Sequence, residues 1–277
     1  MSQIASYYRN KTILVTGAAS GIGRRFTERV ARYNPERLIL WDRNTTALTQ
    51  LRQELSATRN VQISGVDVSD PEIIQIEADN LIHQDRVPGL VLNCAGIVTG
   101  KYFHQHNFHE IGQIMQVNVA GSMWVVNAFL DAMIARGSGH IVNLASASAY
   151  IGNPKMSVYA ASKWAVLGWT ESLQLEMKRL QTGIDVTAII PSYIDTGMFK
   201  GVKAPALVPI LSTEAMTGHI LRGVASRKKA VKVPFMVRFV PLLKAILPQS
   251  LFDWVAGSLL GVYTSMDTFK GREQETS

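Results

Sequence analysis

An α/β fold is expected for this chain: a single Rossmann-like, doubly wound parallel sheet flanked by helices, ending in a C-terminal helical lid and tail. Three observations lead there. Short apolar runs alternate with amphipathic stretches over the first two thirds of the 277 residues. A glycine cluster follows the first run and opens the first amphipathic stretch. No internal repeat or low-complexity linker divides the chain, so residues 1–277 read as one domain, with a core over about 11–190 and a lid and tail over about 191–277.

The elements follow in order. After a polar ten-residue leader, Lys11 enters the first strand, Thr12 to Thr16. Further strands are expected at Leu38 to Trp41, Val61 to Val66, Leu90 to Cys94, His140 to Ala145 and Ile184 to Ile190. These runs are nearly all apolar rather than alternating, as strands covered on both faces must be. Helix-like stretches lie between them near 22–33, 45–56, 70–84, 108–135 and 157–181. After Ile190 the alternation fades, and Pro191, Pro205, Pro209, Pro234, Pro241 and Pro248 punctuate the chain. That segment reads as an elaboration covering a substrate rather than a second domain.

Composition excludes several classes. With 47% apolar and 18% charged residues the chain is globular, not disordered. A lone cysteine, Cys94, rules out an internal disulfide framework and a cysteine zinc cage, and fits a reducing, cytoplasmic compartment. No signal peptide is read, and no uninterrupted apolar run reaches the roughly 18 residues of a spanning helix. His104, His106 and His109 lack an accompanying ligand pattern and read as exposed or locally bonded, so no metal is expected.

The net charge of +7 is uneven. Between Glu214 and Asp253 no acidic residue occurs, while Arg222, Arg227, Lys228, Lys229, Lys232, Arg238 and Lys244 all do. No nucleic-acid recognition motif accompanies them, so a nucleic-acid partner is not expected. The surrounding 231–262 tail is rich in aliphatic and aromatic residues. Three uses are open: a cover over the pocket, a subunit interface, or a peripheral membrane contact.

Chemistry is signalled at two places. In Thr16-Gly17-Ala18-Ala19-Ser20-Gly21-Ile22-Gly23, between strand and helix, glycines permit a tight turn and close approach of a pyrophosphate to the helix N-terminus. Asp42, 25 residues after Gly17, stands where a carboxylate accepts adenosine ribose hydroxyls and repels a 2′-phosphate, which favours NAD over NADP. Arg43 beside it is the counter-signal. The second place is Tyr159-Ala160-Ala161-Ser162-Lys163. Tyrosine, with a free pKa of about 10, is too weak an acid for fast transfer near neutrality. An ammonium four residues on lies on the same helical face and favours the phenolate. A fall of about three units corresponds to roughly 4 kcal/mol.

With these residues the chain resembles the short-chain dehydrogenase/reductase family of the Tyr-Lys type, from about Lys11 to Met198. Thr16 to Gly23 matches its cofactor glycine motif, with Gly17, Ser20, Gly21, Ile22 and Gly23 at the dinucleotide. Asp67-Val68 matches the pair flanking the adenine. Asn93-Cys94-Ala95-Gly96 matches the family's Asn-Asn-Ala-Gly. Asn118, Ser146, Tyr159 and Lys163 match the catalytic set, Ser146 lying thirteen residues before the tyrosine. Pro191 to Thr196, including Ile194, matches the segment meeting the nicotinamide carboxamide, with Ser192 in place of glycine.

The resemblance implies that Tyr159 exchanges a proton with the substrate oxygen and Ser146 donates a hydrogen bond to it. Lys163 would lower the tyrosine pKa and hold the ribose hydroxyls, and Asn118 would anchor a water linking Lys163 to solvent. Ser148 competes with Ser146 but lacks its distance to the tyrosine, and Tyr150 reads as a pocket wall. The implied pocket uses Ile97, Val98, Ala147, Ser148, Ile151, Tyr193 and the lid Met198 to Leu211. Being mostly apolar, with Lys200 and Lys203 the exceptions, it suits a hydrophobic secondary alcohol or ketone, lipid- or steroid-like. The alternative is a non-catalytic dinucleotide-binding or regulatory module on the same scaffold. Helical stretches 108–135 and 157–181 are the implied contacts of a homodimer or homotetramer.

Overall fold

The computed structural model describes residues 3–58, 60–206 and 208–271; Leu207 of the expected lid lies outside the described residues. Strands are β1 (Thr12–Thr16), β2 (Arg37–Asp42), β3 (Val61–Gly65), β4 (Leu90–Asn93), β5 (Gly139–Leu144), β6 (Ile184–Pro191), β7 (Ile194–Asp195), β8 (Leu211–Ser212) and β9 (Ala230–Val233). Helices are α1 (Gln3–Tyr8), α2 (Gly21–Ala31), α3 (Thr45–Glu54), α4 (Pro71–His83), α5 (Phe108–Met115), α6 (Gly121–Arg136), α7 (Ser157–Arg179), α8 (Thr213–Ala225), α9 (Val240–Ile246) and α10 (Gln249–Asp253). Seven parallel strands form one sheet in the order β3-β2-β1-β4-β5-β6-β9, and β7 pairs with β8 separately.

Period-two side-chain alternation explains the apolar runs. Ile13, Val15, Leu38, Leu40, Leu90 and Leu92 join one core with Phe26 of α2 and Ile220 of α8. Leu14, Ile39, Trp41, Val91 and Ile141 join the other with Ala78 of α4, Phe129 of α6 and Leu173 of α7. Because both faces are covered, the strands are mostly apolar, and buried polar positions such as Asn93, His140 and Thr187 are hydrogen-bonded.

The chain builds outward from β1 to β3, then returns to β4 beside β1 and builds the other way. At that reversal the two crossovers leave on opposite faces and a crevice opens beyond the strand C-termini. Thr16, paired with both Trp41 and Asn93, marks its floor.

Residues 108–136 form one helical stretch with a wider π turn at Gln116–Ala120 between α5 and α6. Its length and mean hydropathy of 1.4 match a membrane span, but Val125, Val126, Phe129 and Met133 pack into the sheet core.

Two regions depart from the sequence expectations. The leader is helical: Tyr8 of α1 is fully buried and its Oη donates to the Leu221 carbonyl at 3.1 Å. One buried tyrosine in six residues leaves no periodicity to read. The sheet also does not end at Ile190, since α8 and β9 add a seventh strand beyond β6. Four residues long, with Lys232 in it and three cations just before, β9 is a short charged edge strand rather than an apolar run.

Tyr7 secures α1 to the sheet through His140 of β5. Thr187 Oγ1 spends its proton on the Lys228 carbonyl at 2.6 Å, so it accepts from His140 Nε2 at 2.8 Å. Nδ1 is then the lone-pair nitrogen and accepts from Tyr7 Oη at 2.5 Å. Burial, reinforced by Lys11 and Arg227, lowers the imidazole pKa to about 3. As pH falls below about 6.5 the unfolded chain takes up this proton and the native chain does not. Stability at pH 7 is therefore expected to decline by up to about 1.4 kcal/mol per pH unit between roughly pH 6 and 4. Urea unfolding across that range checks it, and His140→Gln should flatten that part of the profile.

Candidate active site

The crevice is lined by residues delivered from the ends of six strands. Gly17, Ser20, Gly21, Ile22 and Gly23 follow β1; Asp42 and Arg43 end β2; Val66, Asp67 and Val68 follow β3. Cys94, Ala95, Gly96 and Ile97 follow β4, and Ala145 and Ser146 follow β5. Pro191, Ser192, Ile194, Thr196, Met198 and Phe199 close the far side, and α7 supplies Tyr159 and Lys163.

The glycines are sterically required. A Cβ on Gly23 would lie 2.2 Å from the Gly17 carbonyl oxygen, and one on Gly17, whose φ is +65°, would lie 2.8 Å from the Ala95 nitrogen. A Cβ on Gly96 would reach within 3.3 Å of Asn118 Oδ1 and 3.8 Å of Lys163 Nζ. The turn before α2 thus presents a helix N-terminus without side-chain obstruction, which suits a phosphate group. Asp42 holds this turn, Oδ2 accepting from Ala19 N and Oδ1 from Asn44 N, both at 3.0 Å. Each carboxylate oxygen accepts more than one bond, so capacity is left for ribose hydroxyls. These residues fit a bound dinucleotide.

Two expected contacts lie off the crevice lining. Asn93 is 2% exposed and turns sideways within the sheet, its Nδ2 donating to Asn143 Oδ1 at 2.9 Å and the Ser122 carbonyl at 3.4 Å. It braces β4 against β5 and α6. Asn118, also buried, sits in the π turn. Its Oδ1 accepts from Ile97 N at 2.8 Å, and its Nδ2 donates to Ile97 O and to Ser162 Oγ, both at 3.0 Å. The extra residue of the wider turn directs this amide to the loop after β4, which it fastens to α7 through Ser162.

Tyr159 and Lys163 are both buried, at 6% and 5% exposure. Lys163 Nζ lies 5.7 Å from the Tyr159 ring centroid and donates to the Leu144 carbonyl at 2.8 Å. Burial pushes the phenol above its ordinary range, while the Ser146 hydroxyl pulls it back and Tyr193 adds to the rise. Burial likewise lowers the lysine to about 8. Tyrosine lowering by the lysine is thus not the dominant effect in this geometry, because desolvation penalises both charged forms. Neither the Leu144 carbonyl nor the Ser162 brace had a sequence signal beyond its place beside the motif.

A second, mostly apolar cavity adjoins the first and shares Ser146, Ser192 and Phe199 with it. The Tyr159 and Phe199 rings meet edge-on at 6.0 Å, and Phe199 meets Tyr193 at 5.5 Å. Ala147, Ser148 and Ile151 line this cavity as expected. So do Met236, Val240, Leu243, Phe252 and Leu260 from the tail, which sequence left among three uses. Val98 packs instead in a small cluster with Tyr159 and Met266. Tyr150 lies elsewhere, under the Lys232 ammonium.

A family model described as short chain dehydrogenase matches residues 11–206. The chain belongs to the short-chain dehydrogenase family. It is therefore an oxidoreductase of CH–OH groups built to bind a nicotinamide dinucleotide. Epidermal retinol dehydrogenase 2 from Mus musculus is 35% identical over 270 residues, 95% of this chain and 86% of its own length. Human estradiol 17-beta-dehydrogenase 11 is 30% identical over 239 residues, 86% of this chain and 79% of that protein.

Among solved structures, a short chain dehydrogenase/reductase from Burkholderia phymatum in complex with NAD superposes with a TM-score of 0.78 at 24% identity, covering 86% of this chain and 94% of its own. One from Sphingobium yanoikuyae in complex with NADPH gives 0.74 at 26%, covering 86% and 96%. The fold thus accommodates either dinucleotide.

In this dehydrogenase Cys94 lies at the crevice floor, and burial pushes its thiol up to about 12. The thiolate is the nucleophile, so iodoacetamide at pH 8 is expected to leave Cys94 unmodified in the native protein and to alkylate it in urea. Intact-mass measurement distinguishes the two.

Proposed function

We propose that this chain is an NAD(H)-dependent dehydrogenase interconverting a hydrophobic secondary alcohol, lipid- or steroid-like in size, with its ketone. The observation that carries this reading is the shared wall: Ser146, Ser192 and Phe199 border both the glycine-rich crevice and the apolar cavity, with Tyr159 beside them. A substrate in the cavity meets the cofactor crevice at that wall. The relatives named for retinol and estradiol support an extended apolar substrate.

When bound, the dinucleotide supplies or accepts the hydride. Tyr159 gives its proton to the carbonyl oxygen in reduction and takes it from the hydroxyl in oxidation. Ser146 donates a hydrogen bond to that oxygen as charge develops. Lys163 holds the ribose hydroxyls, and Asn118 positions the loop around Ile97. Asp42 favours NAD, and Arg43 is the group that would accept a 2′-phosphate once that carboxylate is removed.

The domain spans the whole chain, with residues 191–277 as lid and tail. A homodimer or homotetramer through the 108–135 and 157–181 stretches is supported by Phe108 of α5 and by Trp164 and Leu175 of α7, all exposed large apolar side chains. We place the enzyme in the cytoplasm, with the 231–262 tail as its contact to a membrane surface.

Tyr159→Phe is expected to lower kcat by about 10²–10⁴-fold while leaving NADH affinity, read by fluorescence titration, unchanged. Undiminished turnover would leave the non-catalytic dinucleotide module standing.

Wild-type turnover on secondary alcohols of rising chain length should be faster with NAD than with NADP, and Asp42→Ala should reverse or erase that preference. Equal use of both cofactors by the wild type would defeat the NAD assignment.

A further inference from the structure

Beyond β6, a groove opens between α8 and β9, away from the crevice. His219 and Arg222 of α8, Lys228 before β9, Lys232 within it and Arg238 after it all line this groove. Their charges converge: Arg222, Arg238 and Lys228 each push His219 toward its neutral form, after burial. Glu214, the last acid before this segment, is committed to Arg25 and Arg29 of α2. No carboxylate follows until Asp253.

One rim of the groove is apolar. Phe235 lines it, carries the Arg238 guanidinium over its ring at 5.2 Å and meets Phe239 edge-on at 5.1 Å. The apolar strip continues along α9 as Phe239, Leu242 and Ile246, spaced i, i+3, i+7 and therefore on one helix face. All are exposed, Phe235 at 62% and Ile246 at 68%. Val240 and Leu243 line the apolar cavity instead. The segment is thus apolar both toward the pocket and toward the outside, a pattern that a purely solvated helix does not show.

We propose that this groove and its apolar rim form a docking site for the headgroup region of an anionic phospholipid bilayer. The cationic side chains would take headgroup phosphates and carboxylates, and Phe235, Phe239, Leu242 and Ile246 would enter the acyl boundary. Charge complementarity selects this occupant over a second copy of the chain. A two-fold contact sets a patch against itself, and here it would oppose one cationic groove to another with no carboxylate among the described residues that line it. A bilayer meets both halves of the surface at once: anionic headgroups beside hydrocarbon. The inference deepens the tail–membrane contact proposed above and is independent of the chemistry at Tyr159.

Vesicle co-sedimentation of the full chain tests it, with phosphatidylcholine alone and with about 30% phosphatidylserine added, which supplies the negative surface potential. Wild type should bind the serine-containing vesicles at least about tenfold more tightly, and high salt should abolish the difference. The Arg222→Glu/Arg238→Glu pair should lose that preference. Phe235→Ser/Phe239→Ser should weaken binding to both vesicle types.

Each variant should retain turnover of a short soluble alcohol with NAD, which shows that it folds and that the redox assignment is unaffected. Equal binding of wild type to both vesicles, or full binding by the charge-reversed pair, overturns the proposal. So does unchanged vesicle binding accompanied by a shift in sedimentation-equilibrium mass, which would make the face a contact between copies.

Discussion

Covering a parallel sheet on both faces is the constraint from which the rest of this structure follows. It forces every strand position toward apolar residues, so no strand can carry chemistry along its length. Polar function is displaced to the strand ends, and parallel strands place all those ends on one edge. Reversal of strand order beside β1 then keeps the crossovers from closing over that edge. Gly17, Asp42, Ala95, Ser146 and Pro191 meet there although up to 174 residues separate them in sequence.

The same burial sets the electrostatics. Tyr159 and Lys163 occupy one turn of α7 under the crevice floor, where neither charged form is well solvated. Desolvation raises the phenol and lowers the amine, so their proton affinities, nearly equal in water, move apart. The phenol therefore rests protonated near neutrality, as a proton donor to a carbonyl oxygen must. Lys163 is kept in place by the Leu144 carbonyl rather than by the phenol, which leaves Tyr159 Oη to act on the substrate side.

Legibility in the sequence followed the same physics. Strands β1 to β6 and the five helical stretches that hold α2 to α7 were readable because a run or a period repeats over several residues, so single exceptions do not hide it. Glycine turns and the Tyr159–Lys163 pair were readable because only a few residue types satisfy those positions. Tyr8, β9 and the Asn93 brace were not, because each depends on one contact with a distant partner: the Leu221 carbonyl, the edge of β6 and Asn143. Neither composition nor spacing encodes which of two possible neighbours a buried amide will face. That is why the bond from Asn93 to Asn143 had no signal in the sequence.

The lid and the tail form one mechanical unit, which bears on how a substrate enters. Lys203 N donates to the Ser265 carbonyl at 3.0 Å, Ala206 N to Leu260 at 2.7 Å, and Lys270 N to Lys200 at 2.9 Å. Phe269 fills the space beside Gly100, where a Cβ would lie 2.0 Å from its ring. Lifting residues 200–206 away from Phe199 and Tyr159 therefore requires the 260–270 segment to move with them or these bonds to break. Tail residues that line the cavity, from Met236 to Leu260, lead into that segment, so the cavity wall and the lid are tied through it.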